Sequence, residues 1–182
     1  RRPRPADRVP GRELALAVER HATSKLTSSE DLFNITTLGF RGEALASIGS
    51  ISRMTLISRS PGEAAGSRIR VEGGVVGDIE QTAATVGTVI QVEGLFYNVP
   101  ARLKFLKQDT TERRVIDTLL TRYALAYPNV RVDISTEGKP ALHTSGDGDR
   151  RAILAAHFGV EVARQMLDVL AEENGMKLSG LL

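Results

Sequence analysis

The stretch TLGFRGEALASIGS, residues 37–50, sets two glycines three positions apart around an arginine and runs directly into a helix-like segment. Gly39 and Gly42 allow positive φ and let a ligand approach the main chain closely. The N–H groups at the start of the following helix then face that ligand, which favours an anion. Arg41 would add a forked, charged donor. The stretch predicts an anion cradle or a simple chain reversal, and its spacing alone leaves both open.

A second group of donors lies upstream of this stretch. Thr23 and Ser24 supply hydroxyls beside the ammonium of Lys25, and together these groups suit a phosphate. The alternative is that they only end a helix. The chain contains no GxxxxGK[ST] and no GxGxxG after a strand, which excludes a P-loop and a dinucleotide fold. Any nucleotide would therefore need another kind of pocket.

The composition is that of a globular chain. With 182 residues, 41% of them hydrophobic, the chain is long enough for one full domain or one domain and part of another. The absence of cysteine excludes disulfides and thiolate metal sites and fits a reducing cytoplasm. No apolar run approaches the roughly 20 residues that span a bilayer, so we expect no membrane partner. A net charge of +2 permits an acidic partner without arguing for one.

The hydrophobic periodicity predicts an α+β fold. Residues 1–12 form a basic tail, a helix runs from Glu13 to about His21, and a short helix follows Gly42. Gly73 and Gly74 suit a tight reversal between strands. Short connections imply antiparallel pairing of four strands, which we predict at residues 51–59, 68–72, 75–80 and 88–93.

The second half of the chain alternates helices and strands. Pro100 starts a helix with Asn98 as a candidate cap, and Asp109 with Glu112 has the spacing of a capping box. That box precedes a longer helix whose predicted buried face consists of Ile116, Leu119, Leu120 and Tyr123. A strand at 130–134 forms a hairpin with residues 141–142, a polar linker follows at 145–149, and two helices and a final strand complete the pattern.

Three motifs carry a resemblance to a known family. HATSKL (21–26), LGFRGEALASI (38–48) and, after the GT of 87–88, LFYNVPARLKFL (95–106) resemble, almost residue for residue, the N-terminal ATPase region of MutL-type DNA mismatch repair proteins. The resemblance implies a partial GHKL (Bergerat-type) α/β sandwich with a mostly antiparallel sheet, in which ATP and Mg²⁺ sit beneath a mobile lid. It divides the chain into a non-matching tail (1–12), a partial ATPase domain (13–145) and the beginning of a second, transducer-type α/β domain (146–182).

The resemblance also implies a nucleotide site. Thr23, Ser24 and Lys25 would lie in the lid and reach the phosphates, and Thr88 would stand near the adenine. The far end of the lid would consist of Leu38, Gly39, Phe40, Arg41, Gly42 and Glu43, with backbone N–H groups on the triphosphate. We expect Phe96, Tyr97 and Phe105 to pack in the core rather than touch a ligand.

Two motifs of the family are missing from this chain. The family places a helix with a water-activating glutamate and an Mg²⁺-binding asparagine, and then a DxGxG turn, before the HATSK segment. Upstream of Glu13 stands only RRPRPADRVPGR, whose Asp7 lacks the following glycines. We therefore expect a fragment, a truncated reading frame or a natural remnant that neither hydrolyses ATP nor binds it tightly. Loss of neighbouring elements should also leave strand edges and apolar faces exposed.

A cluster of cations follows the last motif. Arg102, Lys104 and Lys107 could bind DNA through its phosphates, as the family does without strong sequence preference. They could equally form a solvated helix face, since Asp109 and Glu112 lie nearby.

The resemblance implies a role as an ATP-driven clamp between mismatch recognition and strand removal. Its partners would be mismatched or nonspecific DNA, a recognition protein of the MutS type, and a second copy joined through the N-terminal region when ATP is bound. The location would be the bacterial cytoplasm, near the nucleoid. The alternative is a non-catalytic DNA- or partner-binding remnant.

Overall fold

The structure, a computed structural model, describes residues 9–22, 39 and 41–182. The chain forms two compact units, Arg1–Leu106 and Lys107–Leu182. The division into domains at residues 145 and 146 stays a prediction. No helix in the described ranges is both long and apolar enough to cross a bilayer.

Unit 1, Arg1–Leu106, is built on an antiparallel sheet, as predicted. The spatial order is β3-β2-β1-β5, and β4 pairs with β2 beside β3. Every recorded pairing in the sheet is antiparallel. The strands are β1 (Arg53–Arg59), β2 (Gly66–Glu72), β3 (Val75–Val76), β4 (Glu80–Thr82) and β5 (Gly87–Glu93).

The strand predicted at 75–80 is interrupted. Val71 faces Val76, whereas Arg68 faces Glu80. Three steps along β2 therefore correspond to four steps along its neighbour, and the extra residue forms a bulge that separates β3 from β4. The reversal before β3 is the predicted one, with φ of +57° at Gly73 and +90° at Gly74.

The core of unit 1 lies between one face of the sheet and two helices. A 3-10 turn at Gly11–Glu13 leads into α1 (Leu14–Ala17), and α2 is Ala44–Ser50. Gly49 brings α2 close to β2, because a Cβ there would lie 2.8 Å from Cγ1 of Val71. The buried cluster consists of Leu14, Val18, Met54, Leu56, Ile69 and Val71.

Two predictions for unit 1 are corrected. The helix predicted to reach His21 ends at Ala17, with Val18 as its C-cap. His21 itself has φ of +64°, which a right-handed helix does not accommodate. Helix α3 (Pro100–Leu103) has Val99 at its N-cap. Asn98 instead donates from Nδ2 to the carbonyl of Ser50 at 2.9 Å.

Unit 2, Lys107–Leu182, contains the predicted hairpin and a further one. Its buried hydrophobic cluster consists of Ala124, Leu142 and Ile153. The final segment, predicted as a single strand, is a hairpin that reverses with positive φ at Asn174 and Gly175. Its elements are α4 (Asp109–Ala126), β6 (Asp133–Thr136), β7 (Lys139–His143), α5 (Arg150–Phe158), α6 (Val160–Gln165), β8 (Asp168–Glu173) and β9 (Met176–Leu181).

Helix α4 differs from its prediction at its start and on its buried face. Gln108 is the N-cap rather than Asp109, and Glu112 accepts a hydrogen bond from the backbone N–H of Lys107 at 2.9 Å. The buried residues are Thr121 and Ala124, which face α5. The predicted buried face is wrong for Ile116, Leu119 and Tyr123, which are about half exposed.

Candidate functional site

The predicted nucleotide site is described in part. Thr23, Ser24, Lys25, Leu38 and Phe40 lie outside the described residues. Gly39, Arg41, Gly42, Glu43 and Thr88 are described, and all belong to unit 1.

The described flanks of the two predicted lid segments contact each other. The backbone N–H of His21 donates to the carbonyl of Gly42 at 3.0 Å. Nδ1 of His21 lies 3.3 Å from a carboxylate oxygen of Glu43. Gly42 has φ of +62°, and a Cβ there would lie 2.2 Å from the carbonyl oxygen of Ala22. His21 and Ala22 therefore pack directly against Gly42 and Glu43, and this close approach requires glycine at position 42.

His21 adopts an unusual backbone conformation at this contact. Its φ of +64° places a residue other than glycine in the left-handed region. Such strain persists only where the surrounding structure holds it, and it is concentrated at binding and switch regions. His21 lies two residues before the predicted phosphate-binding residues begin.

The helix predicted after Gly42 is confirmed as α2. Glu43 is its N-cap, without a side-chain capping hydrogen bond, and its carbonyl accepts from the N–H of Ser47 at 2.9 Å. Gly39 and Gly42 both have positive φ, as the turn requires. The local geometry is thus the predicted glycine turn into a helix, and the binding of an anion there stays a prediction.

Thr88 is tied to the buried side of the sheet. Its hydroxyl lies 3.0 Å from Oγ of Ser58, its register partner on β1. Ser58 is fully buried and also donates to the carbonyl of Val9 at 2.8 Å. Since the single hydroxyl hydrogen of Ser58 is engaged by Val9, Thr88 is the donor in the Ser58 pair. Its oxygen then keeps acceptor capacity for a ligand.

The predicted DNA-binding cations fall in both units. Arg102 and Lys104, at α3, belong to unit 1, and Lys107 begins unit 2. All three residues are exposed. None of the three forms an ion pair with a described residue.

One side-chain group was missed by sequence reasoning. The guanidinium carbon of Arg53 lies 4.3 Å from the ring centroid of Tyr97, and Nε donates to Glu72 at 2.9 Å. Glu72 raises the pKa of Arg53 above its usual value. Tyr97 is partly buried, as is Phe96, whereas Phe105 is 84% exposed, so its predicted core position is wrong. Phe105 lies past the end of α3.

Metal ligands are a separate question. Among the described residues, no group of three or more His, Cys, Asp or Glu side chains could hold a metal ion.

Comparison with known proteins identifies sequence relatives. No family model matches the chain. The chain is 48% identical to the DNA mismatch repair protein MutL of Listeria innocua over 168 residues, which are 92% of this chain and 28% of that protein. It is 43% identical to MutL of Lactococcus lactis subsp. cremoris over 168 residues, 26% of that protein. The chain thus spans about a quarter of the length of the curated relatives it matches.

Solved structures share the fold. The Aquifex aeolicus MutL ATPase domain complexed with ADP matches with a TM-score of 0.69 and 31% identity, over 86% of this chain and 60% of that one. The ATPase domain of the bacterial mismatch repair endonuclease Aquifex aeolicus MutL matches with a TM-score of 0.64 and 32% identity, over 86% and 56%. The chain therefore belongs to the MutL family of DNA mismatch repair proteins and has the fold of part of the MutL ATPase domain.

Proposed function

We propose that the chain supplies the phosphate-facing lid and the adenine-side strand of a MutL nucleotide site. The observation that carries this proposal is the contact of His21 and Ala22 with Gly42 and Glu43. The segments that continue from this contact carry hydroxyl, ammonium and backbone N–H donors, which would then serve the same ligand. The residues proposed to bind ATP are Thr23, Ser24, Lys25, Leu38, Gly39, Phe40, Arg41, Gly42, Glu43 and Thr88.

The proposed chemistry is binding and orientation. Backbone N–H groups after Gly39, the hydroxyls of Thr23 and Ser24, and the ammonium of Lys25 would hold phosphate oxygens. The hydroxyl of Thr88, with its hydrogen directed at Ser58, would accept a hydrogen bond from the base. Bound Mg²⁺ would neutralise charge on the phosphates. We assign binding and no water-activating role to these residues, so we expect weak binding and no turnover from them alone.

Two measurements test this proposal. In an NMR titration of the chain with ATP into the millimolar range, we expect the amides of Gly39, Gly42 and Thr88 to shift, and the β6–β7 hairpin to stay unchanged. The variant Thr88→Val should bind ATP several-fold more weakly, whereas Thr118→Val, at an exposed α4 threonine, should bind like the parent chain. Uniform shifts, or no shifts, would contradict the site. Phosphate release at an ordinary rate by pure chain would contradict the absence of turnover.

We propose a second function, the binding of DNA through phosphate contacts. Arg102, Lys104 and Lys107 are exposed and lack ion-pair partners among the described residues. Their charges are therefore available to displace counterions from DNA. A solvated helix face would expose the same three side chains and is the alternative.

A salt titration separates these two alternatives. Anisotropy of a labelled duplex should give an affinity that falls with salt, and replacing all three cations by Ala should reduce the log–log slope by up to about 0.9 per contact. The matched control removes three cations that are already ion-paired, Arg113, Arg131 and Lys177. If the affinity for the duplex does not change with salt, or if the control variant reduces the slope equally, the three cations are a solvated helix face.

For the whole protein we propose the family role. It would act as an ATP-driven clamp between mismatch recognition and strand removal, with DNA and a MutS-type protein as partners. ATP would join two copies through the N-terminal region, in the bacterial cytoplasm near the nucleoid. Identity of 48% to a MutL protein over 92% of this chain supports this role. Loss of mismatch repair after deletion of the parent gene would test it.

A further inference from the structure

The carboxyl end of α2 is held by segments that are distant in the chain. The last four carbonyl groups of an α-helix have no partner within the helix. In α2, nearby serine hydroxyls donate to the carbonyls of Ser47 and Ile48. The carbonyl of Gly49 accepts from the backbone N–H of Gly74, in the turn between β2 and β3, at 3.0 Å. The fourth carbonyl, that of Ser50, is held by a third segment.

This third segment is the FYN segment, residues 96–98. Nδ2 of Asn98 donates to the carbonyl of Ser50 at 2.9 Å. The backbone N–H of Phe96 donates at 2.7 Å to the carbonyl of Ile51, the C-cap of α2. Phe96 has φ of +64°, which is costly for a bulky side chain and persists only where the surrounding structure holds it. The FYN segment therefore holds two successive carbonyls from a strained backbone.

The FYN segment is itself fixed against the sheet. The Tyr97 ring lies under the guanidinium of Arg53, and the Tyr97 N–H donates to the carbonyl of Gly94 at 2.9 Å. A Cβ at Gly73 would lie 2.8 Å from the hydroxyl of Tyr97 and 3.3 Å from Nδ2 of Asn98. The segment thus packs directly on the turn between β2 and β3, which leaves it little room to shift.

The opposite end of α2 carries the proposed phosphate turn. Glu43 is the N-cap, and Gly42 packs against Ala22. Seven helical residues span about 10 Å, and hydrogen bonds within the helix keep that length fixed, so a shift at one end moves the other. We propose that Asn98 is a positioning residue, which holds the carboxyl end of α2 and thereby fixes the glycine turn at its amino end. The effect on α2 stands by itself, whereas the effect on ATP rests on the proposed function.

Amide hydrogen exchange of two Asn98 variants tests the effect on α2. Asn98→Ala and Asn98→Asp both lack the donor, and Asp keeps the shape of the side chain. We expect the amides of Ser47 and His21, which donate to carbonyls at the amino end of α2, to exchange about two- to fivefold faster. The amide of Leu56, on the central strand β1, reports opening of the whole sheet and should change less.

The matched control is Glu80→Gln, which breaks an exposed ion pair on β4 of the same sheet. It should leave the exchange of Ser47 and His21 unchanged relative to Leu56. Faster exchange in the Asn98 variants that is confined to the FYN segment and the last turn of α2 would overturn the proposal, because Asn98 would then be a local cap. An equal increase at every amide of unit 1 would overturn it as well.

An ATP titration followed by NMR separates this proposal from the proposed function. Both Asn98 variants should bind ATP about two- to fivefold more weakly at the Gly42 amide, and Glu80→Gln should bind like the parent chain. A loss in Asn98→Asp alone would be charge repulsion and would overturn the positioning of the site. Unchanged binding by both variants would overturn it too. If the parent chain shows no shift with ATP, the proposed nucleotide site fails, and the exchange rates alone decide whether Asn98 positions α2.

Discussion

Replacing Gly42 by alanine tests whether the two lid segments meet as described. A Cβ at position 42 would lie 2.2 Å from the carbonyl oxygen of Ala22, 2.6 Å from its carbonyl carbon and 2.8 Å from its nitrogen. All three are backbone atoms, so no change of side-chain rotamer relieves the overlap. Either Ala22 or the turn before α2 must move.

The expected loss has two parts. Alanine at φ of +62° costs about 1 kcal/mol relative to glycine. Displacing packed backbone adds about 1–3 kcal/mol, so Gly42→Ala should lower the free energy of unfolding by about 2–4 kcal/mol. Gly62→Ala is the matched control in the same unit. Gly62 has φ of +91° and no atom within 4 Å of a Cβ, so it carries the backbone cost without the overlap.

Urea unfolding followed by circular dichroism measures both variants. We expect Gly42→Ala to lose about 1–3 kcal/mol more than Gly62→Ala, and the His21 amide, which donates to the carbonyl of Gly42, to exchange with solvent faster. Alanine at φ near +90° is at least as strained as at +60°, so backbone strain alone would make Gly62→Ala the less stable variant. A larger loss in Gly42→Ala must therefore come from the overlap with Ala22. Equal losses would refute the close approach of Ala22 to Gly42.

Three further predictions concern stability. Leu56→Ala, at a core position that is 1% exposed, should lower the free energy of unfolding in urea by about 2–5 kcal/mol, whereas Leu170→Ala, 82% exposed, should change it by less than about 0.5 kcal/mol. Ser58→Ala should cost about 1–3 kcal/mol, because a backbone carbonyl and a threonine hydroxyl lose their buried partner, and Ser179→Ala, which is exposed, should cost almost nothing. Arg68 on β2 holds the pKa of Glu80 below its usual 4.5. The ionised carboxylate therefore stabilises the fold above pH 4.5, and this stabilisation is lost as the pH falls through the lower pKa of the folded state. Glu80→Gln should therefore be less stable than the parent chain at pH 7 and equal to it at low pH, and a difference that persists in acid would contradict the pair.

Local sequence patterns predicted most of the secondary structure, because the alternation of a strand and the glycines of a turn each lie within a few consecutive residues. Alternation in RMTLIS specifies a strand with one buried face, and Gly73 with Gly74 specifies the reversal that follows β2. The glycine turn into α2 was predicted in the same way, since its requirement for positive φ is a property of Gly39 and Gly42 themselves.

The sequence by itself determined the family and most of the order of strands and helices, whereas the tertiary structure decided which side chains meet. The bulge between β3 and β4, the buried face of α4 and the contact of Arg53 with Tyr97 each depend on residues far apart in the chain. The same holds for the contact of Ala22 with Gly42, which brings the described flanks of the two lid segments together. Periodicity reports the faces of one element, but register and packing are set by how several elements share a core, and no short stretch contains that information.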